Sequence, residues 1–307
     1  MISGVKRLSV SASSPWCASA SFFAQRASPR ACERKRPAFG SNMQYEKVGT
    51  NVVFIVDIGN TNVTLGLMEG RGRLTWQLRM PTDKRLTVEE FMAAFESVMG
   101  PHTFARDAIE GAIVSSVVPE LTDAMSAAVE AKTGVRPLIV HAGLALGIDI
   151  DIDTPDRLGV DMIADAVGAV NEYEGSLCIF DLGTATTCSV VRADRAYIGS
   201  IIMPGVAISQ NALTAAASQL PFVKFEQPRG LIGRTTVDSM RSGLVHANAA
   251  MIDGLVDRVS DELGESVTAI LTGGISKLIV PACRRPVVYD ADLLLKGLWD
   301  IYRLNAG

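Results

Sequence analysis

The sequence predicts an α/β fold made of two related domains that face each other across a cleft. From residue 52 onwards, short β-branched apolar runs alternate with amphipathic helical patterns, which is typical of α/β proteins. In addition, residues 56–62 (VDIGNTN) and 180–186 (FDLGTAT) share one pattern, in which Asp, an apolar residue and Gly follow a strand. Self-similar segments indicate a duplicated domain. We therefore place the two domains at residues 51–173 and 174–307.

The first domain is predicted to begin with a β-hairpin. Residues 52–56 and 63–67 are apolar strand patterns, and a polar turn that contains glycine separates them. Thr87 and Glu90 form a capping-box pattern that predicts a helix as far as Met99. The other predicted elements are strands at 74–78, 112–118 and 137–140 and a helix at 120–132.

The second domain is predicted to repeat this order. Strands are predicted at 177–180, 188–191 and 196–202, and a later strand at 268–271 leads into a glycine turn. Thr235 and Asp238 form a second capping box before a long helix. The predicted inner face of that helix consists of Met240, Leu244, Ala247, Met251 and Leu255.

Residues 1–50 differ in composition from the rest of the chain, because they are rich in Ser, Ala and Arg. One interpretation is an organelle transit peptide. The other, which we favour, is translated upstream DNA with Met43 as the true start, since the remainder is bacterial in type. Under either interpretation we expect this segment to be disordered and outside the fold.

Composition and charge argue against several classes of function. The net charge of −4 and an aromatic content of 6% give no reason to expect nucleic acid or a membrane as a partner. No uncharged apolar run reaches the roughly 18 residues that a membrane-spanning helix needs. The five Cys and three His are scattered without metal-ligand spacing, so a zinc site is poorly supported. We expect a cytoplasmic protein with reduced thiols.

The two self-similar turns are candidates for binding phosphate, which needs close backbone N–H groups and side-chain donors. Gly59 and Gly183 lack the Cβ that would block such an approach. Asp57 and Asp181 would repel phosphate directly and would instead hold a bridging cation. Either turn alone could also be an ordinary hairpin turn. The candidate donors are Asn60, Thr61 and Asn62 in the first turn and Thr184, Thr186 and Thr187 in the second.

Asp161 is the candidate general base. It stands at the start of an apolar helical pattern over residues 162–170, where the helix dipole favours its ionised form. An ionised carboxylate can accept a hydrogen bond from a substrate hydroxyl. The alternative is a helix N-cap, a role that Asp often fills, and spacing alone favours the N-cap interpretation.

Several short motifs, kept in one order, resemble those of the bacterial type III pantothenate kinases. This family belongs to the superfamily of acetate and sugar kinases, heat-shock ATPases and actin. The resemblance implies duplicated ribonuclease-H-like (actin-like ATPase) domains with mixed sheets and a cleft between them, and it covers about residue 52 to Asn305. The motifs are residues 57–62 (DIGNTN), 115–119 (SSVVP), 159–161 (GVD), 181–187 (DLGTATT), 204–205 (PG), 232–236 (IGRTT), 271–274 (LTGG) and 294–302 (LLKGLWDIY).

The resemblance implies that the γ-phosphate of ATP is transferred to the primary hydroxyl of pantothenate, the first step towards coenzyme A, with Mg²⁺ as a cofactor. It makes Asp161 the general base and gives Asp181 a monovalent cation, K⁺ or NH₄⁺. It places Thr236 on pantothenate across a homodimer interface and the turn at 273–274 beside adenosine. The residues implied for ATP are Asp57, Ile58, Gly59, Asn60, Thr61, Asn62, Val63, Thr64 and Thr184, and those for pantothenate are Gly159, Val160, Asp161, Met162 and Thr236.

The chain departs from the family's pattern on the acceptor side. The family usually has an Arg after the Asp of its Gly-x-Asp motif, where it would bind the pantothenate carboxylate, but this chain has Met162. Arg157 is a candidate to compensate, and Ile152 stands where the family usually has Tyr. Losing a bidentate carboxylate partner weakens binding. Two other hypotheses therefore stand beside a pantothenate kinase: a kinase for another small hydroxylated acceptor, and a non-catalytic regulatory homologue.

Overall fold

A computed structural model describes residues 52–70, 72–85, 87–99 and 108–306. The predicted elements are present, with small shifts at their ends. The strands are β1 (Val52–Ile58), β2 (Asn62–Glu69), β3 (Arg73–Pro81), β4 (Ile109–Ser116), β5 (Leu138–Ile139), β6 (Asp149–Ile150), β7 (Ser176–Leu182), β8 (Ala185–Val191), β9 (Ala196–Pro204), β10 (Val267–Thr272) and β11 (Val287–Tyr289). The helices are α1 (Val88–Met99), α2 (Pro119–Thr133), α3 (Val160–Glu172), α4 (Val206–Ala216), α5 (Thr236–Ser242), α6 (Asn248–Leu263), α7 (Ser276–Ile279) and α8 (Leu293–Asn305).

The strands form two mixed sheets with the same internal order. The first sheet runs β3-β2-β1-β4-β5, and the second runs β11-β10-β7-β8-β9-β6. In the first, β1, β2 and β3 are antiparallel neighbours and β4 is parallel to β1. In the second, β7, β8 and β9 repeat that meander and β10 is parallel to β7. This repetition confirms the predicted duplicated α/β fold.

Helices α3 and α8 fill the space between the two sheets. Ile163 of α3 and Leu298 of α8 pack with Ile55 of β1, whereas Ala166 of α3 packs with Ile179 of β7. The helices can approach closely because both carry glycine at the crossing. A Cβ on Gly168 would lie 2.6 Å from the carbonyl oxygen of Leu293, and one on Gly297 would overlap the carbonyl of Ala164. The packing of α3 fixes the position of its first turn relative to both sheets.

The predicted capping box at Thr87 forms in full, and the one at Thr235 forms its hydroxyl–amide half. The amide of Glu90 donates to the hydroxyl of Thr87 over 3.2 Å, and the amide of Thr87 donates to the carboxylate of Glu90 over 3.0 Å. The amide of Asp238 donates to the hydroxyl of Thr235 over 3.1 Å, which caps α5. Local side-chain chemistry thus sets where α1 and α5 begin.

The predicted inner face of the helix after Thr235 is wrong at Ala247, which is exposed. Met240 is buried, and Leu244, Met251 and Leu255 are half-buried and pack against the core. The fully buried positions lie one residue further along, at Val245, Ala249 and Ile252. The cause is a π-helical turn at Gly243–Ala247, which separates α5 from α6. Such a turn adds one residue and rotates the following face by one position.

The predictions for residues 1–50 concern residues that lie outside those the structure describes. The division between the domains at residues 173 and 174 stays a prediction. Helix α8, which lies in the predicted second domain, packs on β1 and β4 of the first. Among the helices of the described ranges, none combines the length and apolar character needed to cross a bilayer.

Candidate active site

The turns that end β1 and β7 touch each other. The hydroxyl oxygen of Thr61 lies 2.6 Å from that of Thr184, so the two self-similar segments meet at the mouth of the cleft. The first turn is fixed by its own backbone, because the amide of Gly59 donates to the carbonyl of Asn62 over 2.9 Å. Thr82 holds it from outside by donating its hydroxyl to the carbonyl of Gly59 over 2.6 Å. The first turn is therefore held in place by hydrogen bonds within the protein.

The residues predicted to bind nucleotide do not all offer their side chains. Ile58 and Val63 are buried in the apolar core, so only their backbone groups can face a ligand. Asn60 and Thr61 are exposed, and Thr64 is half-buried on β2. The side chains that can donate to a phosphate are therefore those of the polar residues of this turn.

Asp57 lies at the end of β1, where its carboxylate accepts a hydrogen bond from the hydroxyl of Ser115 over 3.0 Å. Burial raises the pKa of Asp57 to about 7, and the negative charges of Asp161 and Asp181 act in the same direction. The Ser115 hydrogen bond and the positive charge of Arg79 act against this rise. The neighbouring negative charges thus favour the protonated form of Asp57, and a bound cation would favour its ionised form.

Asp181 occupies the matching position at the end of β7. Burial raises its pKa to about 6, the charge of Asp161 adds to this, and Arg79 opposes it. The turn after β10 presses against it: Gly273 has φ +89, and a Cβ there would overlap the Asp181 carboxylate and lie 2.8 Å from the amide of Leu182. Only glycine fits this position, which brings the predicted adenosine-side turn beside Asp181.

Asp161 lies in the first turn of α3, but it is not the N-cap. That position belongs to Gly159, and the helix begins at Val160. The Asp161 carboxylate accepts a hydrogen bond from the amide of Met162 over 2.9 Å. Burial raises the pKa of Asp161, and the backbone hydrogen bonds to its carboxylate act against that rise.

Sequence reasoning missed a further carboxylate, Asp165, which is 3% exposed on α3. Its Oδ1 atom has no hydrogen-bond partner among the described residues. Burial raises the pKa of Asp165 well above its ordinary range, and the charges of Asp181, Asp161 and Asp57 raise it further. Its spacing of four residues from Asp161, which places both on one helix face, was the available signal.

Arg79 was also missed. It is exposed on β3, and its positive charge acts on both Asp57 and Asp181. The alternation of exposed and half-buried residues along β3 places it on the more exposed face, and that pattern was readable from the sequence.

The structure brings only some of the residues predicted to bind pantothenate close to Asp161. Met162 is 8% exposed and packs with Leu177 and Tyr197 in an apolar cluster, so its side chain lies in the core. Thr236 is exposed at the first position of α5, and no hydrogen bond within the described ranges links it to Asp161. Arg157 is exposed on the short helical turn Pro155–Arg157.

Gly274 lines two cavities. One, of about 380 Å³, lies between Gln77 and Arg79 on one side and Tyr289 and Asp292 on the other. The second, of about 460 Å³, is lined by Phe225, Gln227, Gly274, Ile275, Lys277 and Leu278. In the part of the chain that the structure describes, no group of three or more Asp, Glu, His or Cys side chains is arranged to hold a metal ion alone.

Comparison with known proteins decides the family. The family model for type III pantothenate kinases matches residues 53–258, more than half of the chain. A type III pantothenate kinase from Bacillus cytotoxicus is 34% identical over 255 residues, which cover 83% of this chain and 97% of that protein. The chain belongs to the type III pantothenate kinase family.

Among solved structures, a Baf family transcriptional activator from Campylobacter jejuni is similar with a TM-score of 0.50. It is 16% identical, and the match covers 81% of this chain and 97% of the other. At this identity the likeness shows the fold alone, and it agrees with the duplicated sheets. The predicted family is confirmed.

Proposed function

We infer that this protein transfers the γ-phosphate of ATP to the primary hydroxyl of pantothenate, as the first step of coenzyme A synthesis. The observation that carries the inference is the 2.6 Å contact between Thr61 and Thr184. It joins two polar turns whose strands end in the half-buried carboxylates Asp57 and Asp181. Phosphoryl transfer depends mainly on positioning and on neutralising charge, and such a surface supplies both.

ATP is proposed to lie along the cleft with its phosphates between the two turns. Backbone amides of residues 57–64 and the hydroxyl of Thr184 would donate to the phosphate oxygens. The cavity of about 460 Å³ beside Gly274 is large enough for adenosine, and Phe225 and Ile275 give it apolar walls. Its position next to the turn after β10 supports the predicted adenosine side of the site.

The carboxylates fit hard cations. Carboxylate and hydroxyl oxygens are the ligands that Mg²⁺ and K⁺ prefer. Asp57 would hold Mg²⁺ together with phosphate oxygens and water, because no described group of side chains encloses a metal alone. Asp181 is proposed to hold the monovalent cation, K⁺ or NH₄⁺. When bound, these cations neutralise charge on the phosphates.

Asp161 is proposed to accept the proton of the acceptor hydroxyl as its oxygen attacks the γ-phosphorus and ADP leaves. A general base works best when its pKa lies near the working pH, and burial raises the pKa of Asp161 towards that range. Its position on α3, held between the two sheets by Gly168 and Gly297, fixes the carboxylate relative to the phosphates.

The acceptor side is proposed to be completed by a second copy of the chain. Thr236 stands in a segment with large exposed apolar side chains, in which Ile232 is 86%, Phe222 65% and Leu231 63% exposed. Contiguous exposed apolar residues mark interaction surfaces. A homodimer through this face would bring the partner's α5 to the site, where pantothenate would contact Gly159, Val160 and Thr236. A cytoplasmic location stays a prediction.

Met162 favours one alternative acceptor. Its uncharged side chain lies in the core, so position 162 offers no partner to a substrate carboxylate. A kinase for a hydroxylated acceptor without a carboxylate would need no such partner. Turnover of ATP with pantothenate, with its alcohol analogue that lacks the carboxylate, and with no acceptor separates these two enzymes from a non-catalytic homologue.

The substitution Asp161→Asn tests the proposed base. It keeps the shape and the acceptor for the Met162 amide but removes the proton-accepting charge. We expect turnover to fall by about 10²–10⁴ while the Kd for ATP stays within about twofold. Asp156→Asn, at an exposed neighbouring carboxylate, is the matched control. Unchanged turnover in Asp161→Asn would remove Asp161 from the mechanism.

A further inference from the structure

We propose that Arg79 binds the β- and γ-phosphate oxygens of the nucleotide and so forms a cationic wall of the cleft opposite the carboxylates. The proposal rests on the proposed function, because it assumes that ATP lies between the two turns. It goes beyond it by assigning a phosphate-binding role to a side chain outside both turns.

The strand register places Arg79 on the phosphate side of the first sheet. Asp57 of β1 is paired with Thr64 of β2, and Thr64 is paired with Arg79 of β3. Directly paired residues in neighbouring strands project from the same face, and neighbouring strands lie about 4.8 Å apart. Arg79 therefore stands two strands, or about 10 Å, from Asp57 on the same face, a gap that a long arginine side chain partly closes.

The Arg79 guanidinium also reaches the second half of the site. Its Nη1 atom lies 3.5 Å from the position that a Cβ on Gly274 would occupy. It lines the cavity of about 380 Å³ together with Gly273, Gly274 and Asp292. The side chain thus spans from the sheet of the first turn to the turn after β10, across the space through which a phosphate chain would run.

Arg79 has no hydrogen bond or ion pair with any of the residues that the structure describes. By contrast, Arg73 on the same strand is 3.2 Å from the carboxylate of Glu69. The charge of Arg79 lowers the pKa of both Asp57 and Asp181, so its field extends into the carboxylate cluster. A polyanion that enters a cluster of carboxylates needs a compensating cation.

The chemistry of the guanidinium matches a phosphate chain. Its planar fork presents parallel N–H donors that pair with two phosphate oxygens at once. Such charge-assisted hydrogen bonds contribute more than neutral ones, and they act only on a ligand that carries phosphate. This selectivity separates phosphate binding from a purely structural effect of Arg79 on the carboxylates.

Binding of ADP and of adenosine to the full-length protein tests the proposal by calorimetry. We expect Arg79→Gln to weaken ADP binding by about 10- to 100-fold and to leave adenosine binding unchanged. Arg79→Lys keeps the charge but loses the planar guanidinium, so its affinity for ADP should lie between those of the wild type and Arg79→Gln. Arg73→Gln, at the other end of β3, is the matched control and should bind ADP as the wild type does.

Two results would overturn the assignment: ADP binding in Arg79→Gln equal to that of the wild type, or an equal loss for ADP and adenosine. The proposed acceptor is tested separately. If the wild-type protein binds ADP but does not phosphorylate pantothenate, the acceptor is wrong, and the ADP comparison still decides the role of Arg79. A wild-type protein that binds no nucleotide would overturn both proposals.

Discussion

The hydroxyl oxygens of Thr61 and Thr184 lie 2.6 Å apart, although the two residues are separated by 123 positions in the sequence. Thr61 belongs to the turn between β1 and β2, and Thr184 belongs to the matching turn between β7 and β8. The contact therefore joins equivalent points of the duplicated fold. It links the two sides of the cleft, with Asp57 on one side and Asp181 on the other.

A double-mutant cycle on these threonines measures the contact. Valine has the shape of threonine but no hydroxyl, so Thr61→Val and Thr184→Val each remove the hydrogen bond. We expect their effects on the free energy of unfolding to be non-additive, with a coupling of about 0.5–1.5 kcal/mol. Urea unfolding of the four proteins measures it. Thr75→Val paired with Thr184→Val, at positions without a shared contact, should be additive, and additivity of Thr61 and Thr184 would contradict the contact.

Replacing Asp57 with a residue that does not titrate should raise the stability of the protein at pH 8 and lower its activity. The pKa of Asp57 is about 7 in the folded protein against an ordinary value of 3.8, so between these values the folded state binds more protons than the unfolded state. The contribution of Asp57 to stability is therefore complete below about pH 4 and is lost as the pH rises through about 7. The loss is on the order of 1.4 kcal/mol for each unit of pKa shift.

Asp57→Asn does not titrate, so we expect it to unfold at a higher temperature than the wild type at pH 8 and to lose much of that advantage at pH 5. Thermal unfolding at both pH values, without nucleotide, measures the difference. Asp194→Asn is the control of opposite sign, because a hydrogen bond from Arg192 lowers the pKa of Asp194. An advantage for Asp57→Asn that is larger at pH 5 would contradict the assigned direction.

The glycine contact between α3 and α8 should be intolerant of a methyl group. A Cβ on Gly297 would overlap the carbonyl of Ala164, so the helices must separate. We expect Gly297→Ala to lower the free energy of unfolding by about 1–3 kcal/mol. Gly243→Ala, where a Cβ meets nothing within 4 Å, should instead be neutral or stabilising by up to about 1 kcal/mol. Equal effects in denaturant unfolding would show that the helices are not in close contact.

The exposed apolar segment should govern assembly. Ile232 is 86% exposed, and Ile232→Glu introduces a charge that a dimer interface would have to bury. We expect this variant to sediment as a monomer and to lose pantothenate turnover while it retains ADP binding. Leu304→Glu, at a 50% exposed apolar position near the end of α8, is the control and should sediment as the wild type does. A wild-type protein that is monomeric at working concentration would contradict the dimer.

The elements of the fold were largely predictable because their signals are local. Apolar runs predicted the strands, capping boxes at Thr87 and Thr235 predicted two helix starts, and the repeated Asp-x-Gly turns predicted the duplication. The inner face after Thr235 was not predictable in full. A π-helical turn at Gly243–Ala247 shifts that face, and the sequence pattern carries no clear signal for such a turn.

The sequence by itself determined the family, the order of strands and helices, and the two turns that form the cleft. Only the tertiary structure decided the environment of each charge. It showed that Asp161 is not an N-cap, that burial raises its pKa, and that Met162 lies in the core. It also brought Asp165 and Arg79 to the carboxylates. The reason is physical: burial and neighbouring charge come from segments far apart in the chain, which meet only when the two sheets pack around α3.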